Sequence, residues 1–167
     1  REGSGTSWQP DDSVMEGHHT MGEEWMTMSH GILTIAHTDE SGPRGSAQTY
    51  NESMLMTEAW RLLGEDRIAF KGMFSAEPLN GAAGFPLLFQ TGETADGVHP
   101  LVDRQHPHNL VMEASVAYSH AHNLQTATYL YAGLAGEPAL GPPAFMHRLS
   151  SMDNPEAPIT HHWMDST

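Results

Sequence analysis

Cysteine is absent from the 167 residues, which excludes disulfides, thiolate metal sites and cysteine nucleophiles. Any soft metal bound here would have to be held by Met sulfur and His nitrogen. Basic side chains are scarce as well, 7 against 21 acidic ones for a formal net charge of −14. Lys71 is the single lysine and the six arginines are scattered, so no basic stripe exists for a phosphate backbone and nucleic acid is excluded as a partner. The anionic face of a membrane is disfavoured for the same reason. No apolar run approaches the roughly 18 to 20 residues that a spanning helix needs, so a membrane role has to use strands or be peripheral. Against these absences stand 12 His and 11 Met.

Residues 1–23 are rich in Gly, Ser, Asp and Glu, and include Pro10 and His18-His19; they read as an extended arm. The rest, 24–167, reads as a single β domain, its length fitting one core. Period-two segments bounded by Gly, Pro, Asn and Asp predict five strands at about 24–37, 50–62, 67–76, 109–120 and 126–133. The clearest is 67–76, with Ile68, Phe70, Gly72 and Phe74 on one face and Arg67, Lys71 and Ser75 on the other. In 109–120, Leu110, Met112, Ala114, Val116 and Tyr118 alternate with Asn109, Glu113, Ser115 and Ser119. Residues 53–63 also fit a short helix by propensity. Residues 39–45 and 64–66 look like hairpin turns. The long stretches 77–108 and 134–167 hold Phe85, Leu87, Leu88, Phe89, Phe145 and Trp163, too many apolar anchors for disorder, so they read as ordered loops.

Several long motifs then stand out: Phe85-Pro-Leu-Leu-Phe-Gln-Thr-Gly-Glu-Thr-Ala-Asp-Gly, Pro100-Leu-Val-Asp-Arg-Gln-His-Pro-His, Gly136-Glu-Pro-Ala-Leu-Gly-Pro-Pro-Ala-Phe-Met-His-Arg, and Asp153-Asn-Pro-Glu-Ala-Pro-Ile with His161-His162-Trp163. With these the chain resembles an uncharacterised bacterial envelope family that looks like an outer-membrane β-barrel and is often encoded beside copper and heavy-metal resistance genes. The resemblance spans nearly the whole chain. It implies an all-β antiparallel meander, a partial outer-membrane-type barrel with two long ordered loops. It also implies outer-membrane lipid as surroundings and a bacterial outer-membrane or periplasmic location. Family members continue into further strands past the His-His-Trp segment. Together with the start at Arg1, this makes the chain read as a truncated or processed piece, completed by C-terminal strands or by self-association. Five strands fall short of the roughly eight that a membrane barrel needs.

The candidate chemistry lies in the loops. His99, Asp103, His106 and His108 fall within ten residues, and Pro107 favours an extended His106-Pro107-His108 in which both imidazoles share a side. The second loop adds Met146, His147, His161 and His162. Imidazole suits Zn and Cu, while thioether selects Cu(I), so mixed ligation points to copper, with zinc as the alternative. A site joining both loops is expected, although the spacing matches no compact zinc signature. The competing reading is a structural or passive-pore barrel plugged by a network of Asp103, Arg104, Arg148, Asp153 and Glu156 without metal. The pairs Met26/Met28 and Met54/Met56 each face one side of a strand, which core or lipid-facing packing also produces, with a methionine copper track as the weaker alternative. Enzyme signatures are weak: Ser150-Ser151 beside His147 has no Gly-x-Ser-x-Gly elbow, and Gly81-Ala-Ala-Gly84 is no phosphate loop. A metal-dependent hydrolase would need an open coordination position and a general base. The expected function is binding or handling of transition-metal ions in the cell envelope, without catalysis.

Overall fold

The computed structural model describes residues 17–94, 96–98 and 100–134. They form ten antiparallel strands: β1 (His18–Met21), β2 (Met26–Ile32), β3 (Ile35–Asp39), β4 (Ala47–Asn51), β5 (Met54–Leu63), β6 (Asp66–Ser75), β7 (Phe85–Glu93), β8 (Pro100–Gln105), β9 (Val111–Asn123) and β10 (Thr126–Gly133). Six make an open sheet in the order β1-β2-β5-β6-β9-β10, and β3-β4 and β7-β8 are separate hairpins. The all-β antiparallel expectation holds, and the described sheets do not close into a barrel.

Several boundaries differ from expectation. The stretch 18–21, expected in the arm, pairs with β2 as a strand. The strand expected at 24–37 is two strands in different sheets, separated by Leu33-Thr34, and 50–62 is likewise divided at Glu52-Ser53. Ser53 ties this break together: its Oγ accepts from the Thr34 N–H and its own N–H donates to Asn51 Oδ1. Residues 53–63 take the strand rather than the helix, since the ladder with β6 runs unbroken from Met54↔Ser75 to Leu63↔Asp66. The expected loop 77–108 contains a 3-10 turn at Glu77–Asn80 together with β7 and β8. The loop expected at 134–167 lies, beyond Leu134, outside the described residues.

Connection length is segregated by end. Residues 22–25, 64–65 and 124–125 make short turns at one end of the sheet, while the linking segments 33–53 and 76–110 occupy the other. Gly64 has φ +70° at the first position of its two-residue turn, where a primed hairpin turn needs a residue tolerant of positive φ.

Residues directly opposite in an antiparallel ladder project to the same side. The registers therefore define two faces. The Phe70 face carries Leu55, Ala59, Ile68, Phe70, Phe74, Val116 and Leu130, interrupted by the hydrogen-bonded Ser29 and Thr57, with Trp25, Arg61, Asp66, Tyr118 and His120 towards the short-turn end. The Met73 face carries Met26, Met28, His30, Met54, Met56, Glu58, Lys71, Met73 and Glu113. A bulge between Met73 and Phe74 passes over Met112, so Val111 joins the Phe70 face in place of the expected Leu110 and Met112.

Over the middle of the sheet burial on these faces is inverted relative to a soluble sheet, which covers its apolar side, whereas at the short-turn end Leu62 and Tyr129 of the Met73 face are exposed as well. Leu55, Phe70 and Leu130 are 51, 47 and 61% exposed, while on the opposite face Glu113 is 2% exposed and Met73 2%. Lys71 Nζ lies 2.8 Å from Glu113 Oε2, and Ser115 Oγ and Tyr131 Oη donate to Glu113 Oε1. Arg67 pairs with Glu58 at 2.9 Å on the same face. A second small core joins the hairpins at the long-connection end, where Tyr50 and Phe85 stack at 4.6 Å and 10°.

Candidate functional site

The segment after β8 holds the described members of the expected loop site. Asp103 has φ +52°, a left-handed conformation that Asp tolerates better than most side chains. It sits where the β7-β8 register breaks, between the pairs Pro86↔Arg104 and Thr91↔Val102. Its carboxylate is buried and accepts both Arg44 Nε at 2.6 Å and Arg44 Nη2 at 2.5 Å. This fork geometry fixes both oxygens, and the carboxylate raises the Arg44 pKa above its already high value through hydrogen bonding and charge. Asp103 is therefore the anchor of the β3-β4 turn on β8, and both its oxygens are committed there.

Arg104 makes a second clamp. Its Nε donates to the Ala83 carbonyl at 2.7 Å, and its Nη2 to Gln48 Oε1 at 2.5 Å and to the Gly84 carbonyl at 2.9 Å. Gln48 Nε2 also donates to the Gly84 carbonyl. The expected involvement of Asp103 and Arg104 in a polar network is thus met by Arg44, Gln48, Ala83 and Gly84. Its other expected members, Arg148, Asp153 and Glu156, lie outside the described residues.

His106 and His108 do lie near each other, with ring centroids 6.4 Å apart and planes at 49°. His108 is held by Glu77, whose Oε2 accepts the His108 backbone N–H at 2.8 Å and lies 2.7 Å from Nδ1. Glu77 is itself buried in the 3-10 turn. The arrangement is that of a carboxylate orienting an imidazole through one ring nitrogen. Burial pushes the His106 imidazole below the ordinary histidine range; the His108 charge adds to this and the Glu77 charge opposes it. Among the described residues no group of three His, Asp or Glu is placed to hold a metal ion. Asp103, His106 and His108 therefore do not form a shared ligand set by themselves. His99, Met146, His147, His161 and His162 lie outside the described residues.

Glu77, Arg44 and His30 join the residues expected from the sequence. Glu77 and Arg44 are 31 and 59 positions from their partners, and no local pattern signals such distant pairs. His30 was legible in principle, because Met26-Thr-Met28-Ser-His30 continues the alternation of β2. It stands directly opposite Met56, which stands opposite Met73, which stands opposite Glu113.

His120 and His122 have partners of their own. His120 Nδ1 bonds to Asp66 Oδ1, which shares its carboxylate with Tyr118 Oη at 2.8 Å. The His120 and His122 rings meet edge-on at 4.6 Å, and His122 Nε2 bonds to Thr128 Oγ1 at 2.7 Å. Compared with known protein families, curated proteins and solved structures, the chain finds no match.

Proposed function

We propose that this chain is part of the wall of a bacterial outer-membrane-type β-barrel that binds or passes transition-metal ions, copper foremost and zinc as the alternative. The observation that carries the reading is the inverted sheet. Its exposed face is mostly apolar, broken by Ser29, Thr57 and Arg61, with Trp25 and Tyr118 towards one edge, and its covered face bears Glu58, Lys71 and Glu113. Lipid in place of water outside makes such a distribution favourable, and apolar-out, polar-in alternation with short turns at one end is the pattern of such barrels. The formal charge of −14 would draw cations to the mouth, where His106 and His108 lie among the long connections.

Single-tryptophan variants in bilayers containing brominated acyl chains test the lipid assignment. Emission from Trp25, on the Phe70 face, is quenched, and that from Trp60, on the Met73 face, is not. Equal emission from both in brominated and plain lipid overturns it. For the metal assignment, Cu(II) and Zn(II) bind the folded chain more tightly than a variant with His106, His108, His147, His161 and His162 changed to Ala; equal affinities overturn it.

A second reading, a passive pore whose loops only brace one end, is favoured by the commitment of Asp103 to Arg44 and of His108 to Glu77. On that reading the same five substitutions lower thermal stability and the metal affinities stay unchanged.

A further inference from the structure

The five methionines of β2, β5 and β6, Met26, Met28, Met54, Met56 and Met73, all lie on the face that carries His30 and the buried Glu113. In a sheet with lipid on its apolar side, packing alone would distribute thioethers to either face, since Met is as much at home against acyl chains as inside. Their segregation with a histidine on the covered, charged side calls for another reason. The register supplies one. His30, Met56 and Met73 stand in a single row across three adjacent strands. Directly opposite residues in such a ladder have Cβ atoms about 4.5 to 5.5 Å apart, so three side chains of this length reach a common point above the middle strand. His30 is 8% exposed, and Met28 and Met54 lie two residues away from His30 and Met56 on the same side.

We propose that His30, Met56 and Met73 form a binding site for a soft monovalent cation of the Cu(I) type, with Met28 and Met54 as flanking thioether donors. Thioether sulfur selects Cu(I) over Zn(II) and other divalent ions, and one imidazole with two thioethers is a mixed set that suits it. Glu113, at the end of the row, is neutralised by Lys71, so the row offers neutral donors, which favour low charge on the bound ion. The proposal deepens the metal-handling reading by naming the ion and moving its site from the loops to the sheet.

The test is Cu(I) titration of the full folded chain against a competing chelator, with X-ray absorption at the copper edge to identify the ligand atoms. The site predicts sulfur scattering in the wild type, and at least a tenfold loss of Cu(I) affinity, with loss of that scattering, in Met56→Leu/Met73→Leu. Leu conserves volume and apolarity, so the core should survive; circular dichroism checks this, and Met56→Leu alone serves if the double variant does not fold. His30→Gln should weaken Cu(I) binding and keep the sulfur signal. Zn(II) affinity should be unchanged by Met56→Leu/Met73→Leu. Sulfur-free copper in the wild type, or undiminished affinity in the Leu variant, overturns the site. If copper binding is lost only when the five loop histidines are changed, the row is overturned and the loop reading stands. Sulfur-ligated Cu(I) in a chain that fails the brominated-lipid test supports the row and overturns the barrel.

Discussion

The Glu77 carboxylate shows how one buried residue can hold a loop and set the chemistry of its neighbour. It accepts the His108 backbone N–H and sits against the imidazole Nδ1. Glu77→Ala therefore leaves a covered backbone donor without its acceptor, which costs about 1 to 3 kcal/mol; equilibrium denaturation in urea reads this directly. Glu77→Gln keeps an acceptor and should cost less, but it removes the negative charge that opposes the depression of the His106 pKa. The His106 resonance should then titrate lower still in Glu77→Gln by NMR, and higher in His108→Ala; movement in the opposite direction would show that Glu77 does not govern the site. The sign for stability follows. Because the folded pKa lies below the ordinary histidine value of 6.5, the unfolded chain takes the proton first. Stability from His106 is full above that pH and falls as pH drops towards the folded value. Thermal melts of His106→Gln should lose this part of the acid dependence.

At the scale of elements, the strand pattern was legible wherever a long ladder obeys it. Strand β10 was expected at 126–133 and is found there, and the alternation of Ile68, Phe70, Gly72 and Phe74 against Arg67, Lys71 and Ser75 survives intact in β6. Short elements were missed because their pairing is decided by distant partners: β7 and β8 lie in a Pro- and Gly-punctuated stretch whose periodicity a register break interrupts. The same holds for the division of 24–37, where side-chain bonds from Ser53 fix a corner that local hydrophobicity does not mark. In the candidate site, the His106/His108 pairing was readable from the intervening proline, but the capture of Asp103 by Arg44 was not, since 59 residues separate them. Gly84 joins these hairpins. It has φ +62°, and an added Cβ would lie 1.8 Å from the Gln105 carbonyl oxygen. Its own carbonyl accepts from Gln48 and Arg104. Gly84→Ala must therefore push β8 away or give up these bonds. Backbone strain of this kind costs on the order of 1 to 3 kcal/mol, and the clash adds to it. A lowered denaturation midpoint is expected, whereas Gly81→Ala, also at positive φ but with open space around it, should cost only the strain.

For the whole molecule the decisive question is which solvent each face meets, and composition alone does not answer it. Both faces of β5 and β6 carry apolar residues. Alternation within β6 already sets Arg67 and Lys71 beside Met73; the register adds that Glu58 and Glu113 share that face, and burial that Met73 is covered while Phe70, Leu55 and Leu130 are outward. Water and lipid make opposite demands on that outward face. In water, a half-exposed Phe70 is a liability, and Phe70→Lys should be neutral within about 0.5 kcal/mol or improve solubility. In a bilayer the same lysine sits against hydrocarbon, and near the midplane of a barrel wall it costs about 2 to 4 kcal/mol. Ser119, on the opposite face near the short turns, provides the internal control, because Ser119→Lys places its charge on the polar side. Folding into phosphatidylcholine vesicles, followed by urea titration, should show Phe70→Lys destabilised by that margin and Ser119→Lys nearly unchanged. Equal, small effects at both positions would mean that the Phe70 face meets water and that the sheet is not a membrane wall. The position dependence adds a further discrimination: Ile68→Lys, directly opposite Tyr118 and nearer the short-turn edge, should cost less than Phe70→Lys, because the penalty falls to about 0 to 1 kcal/mol near the interface. A face exposed to water has no reason to produce that gradient.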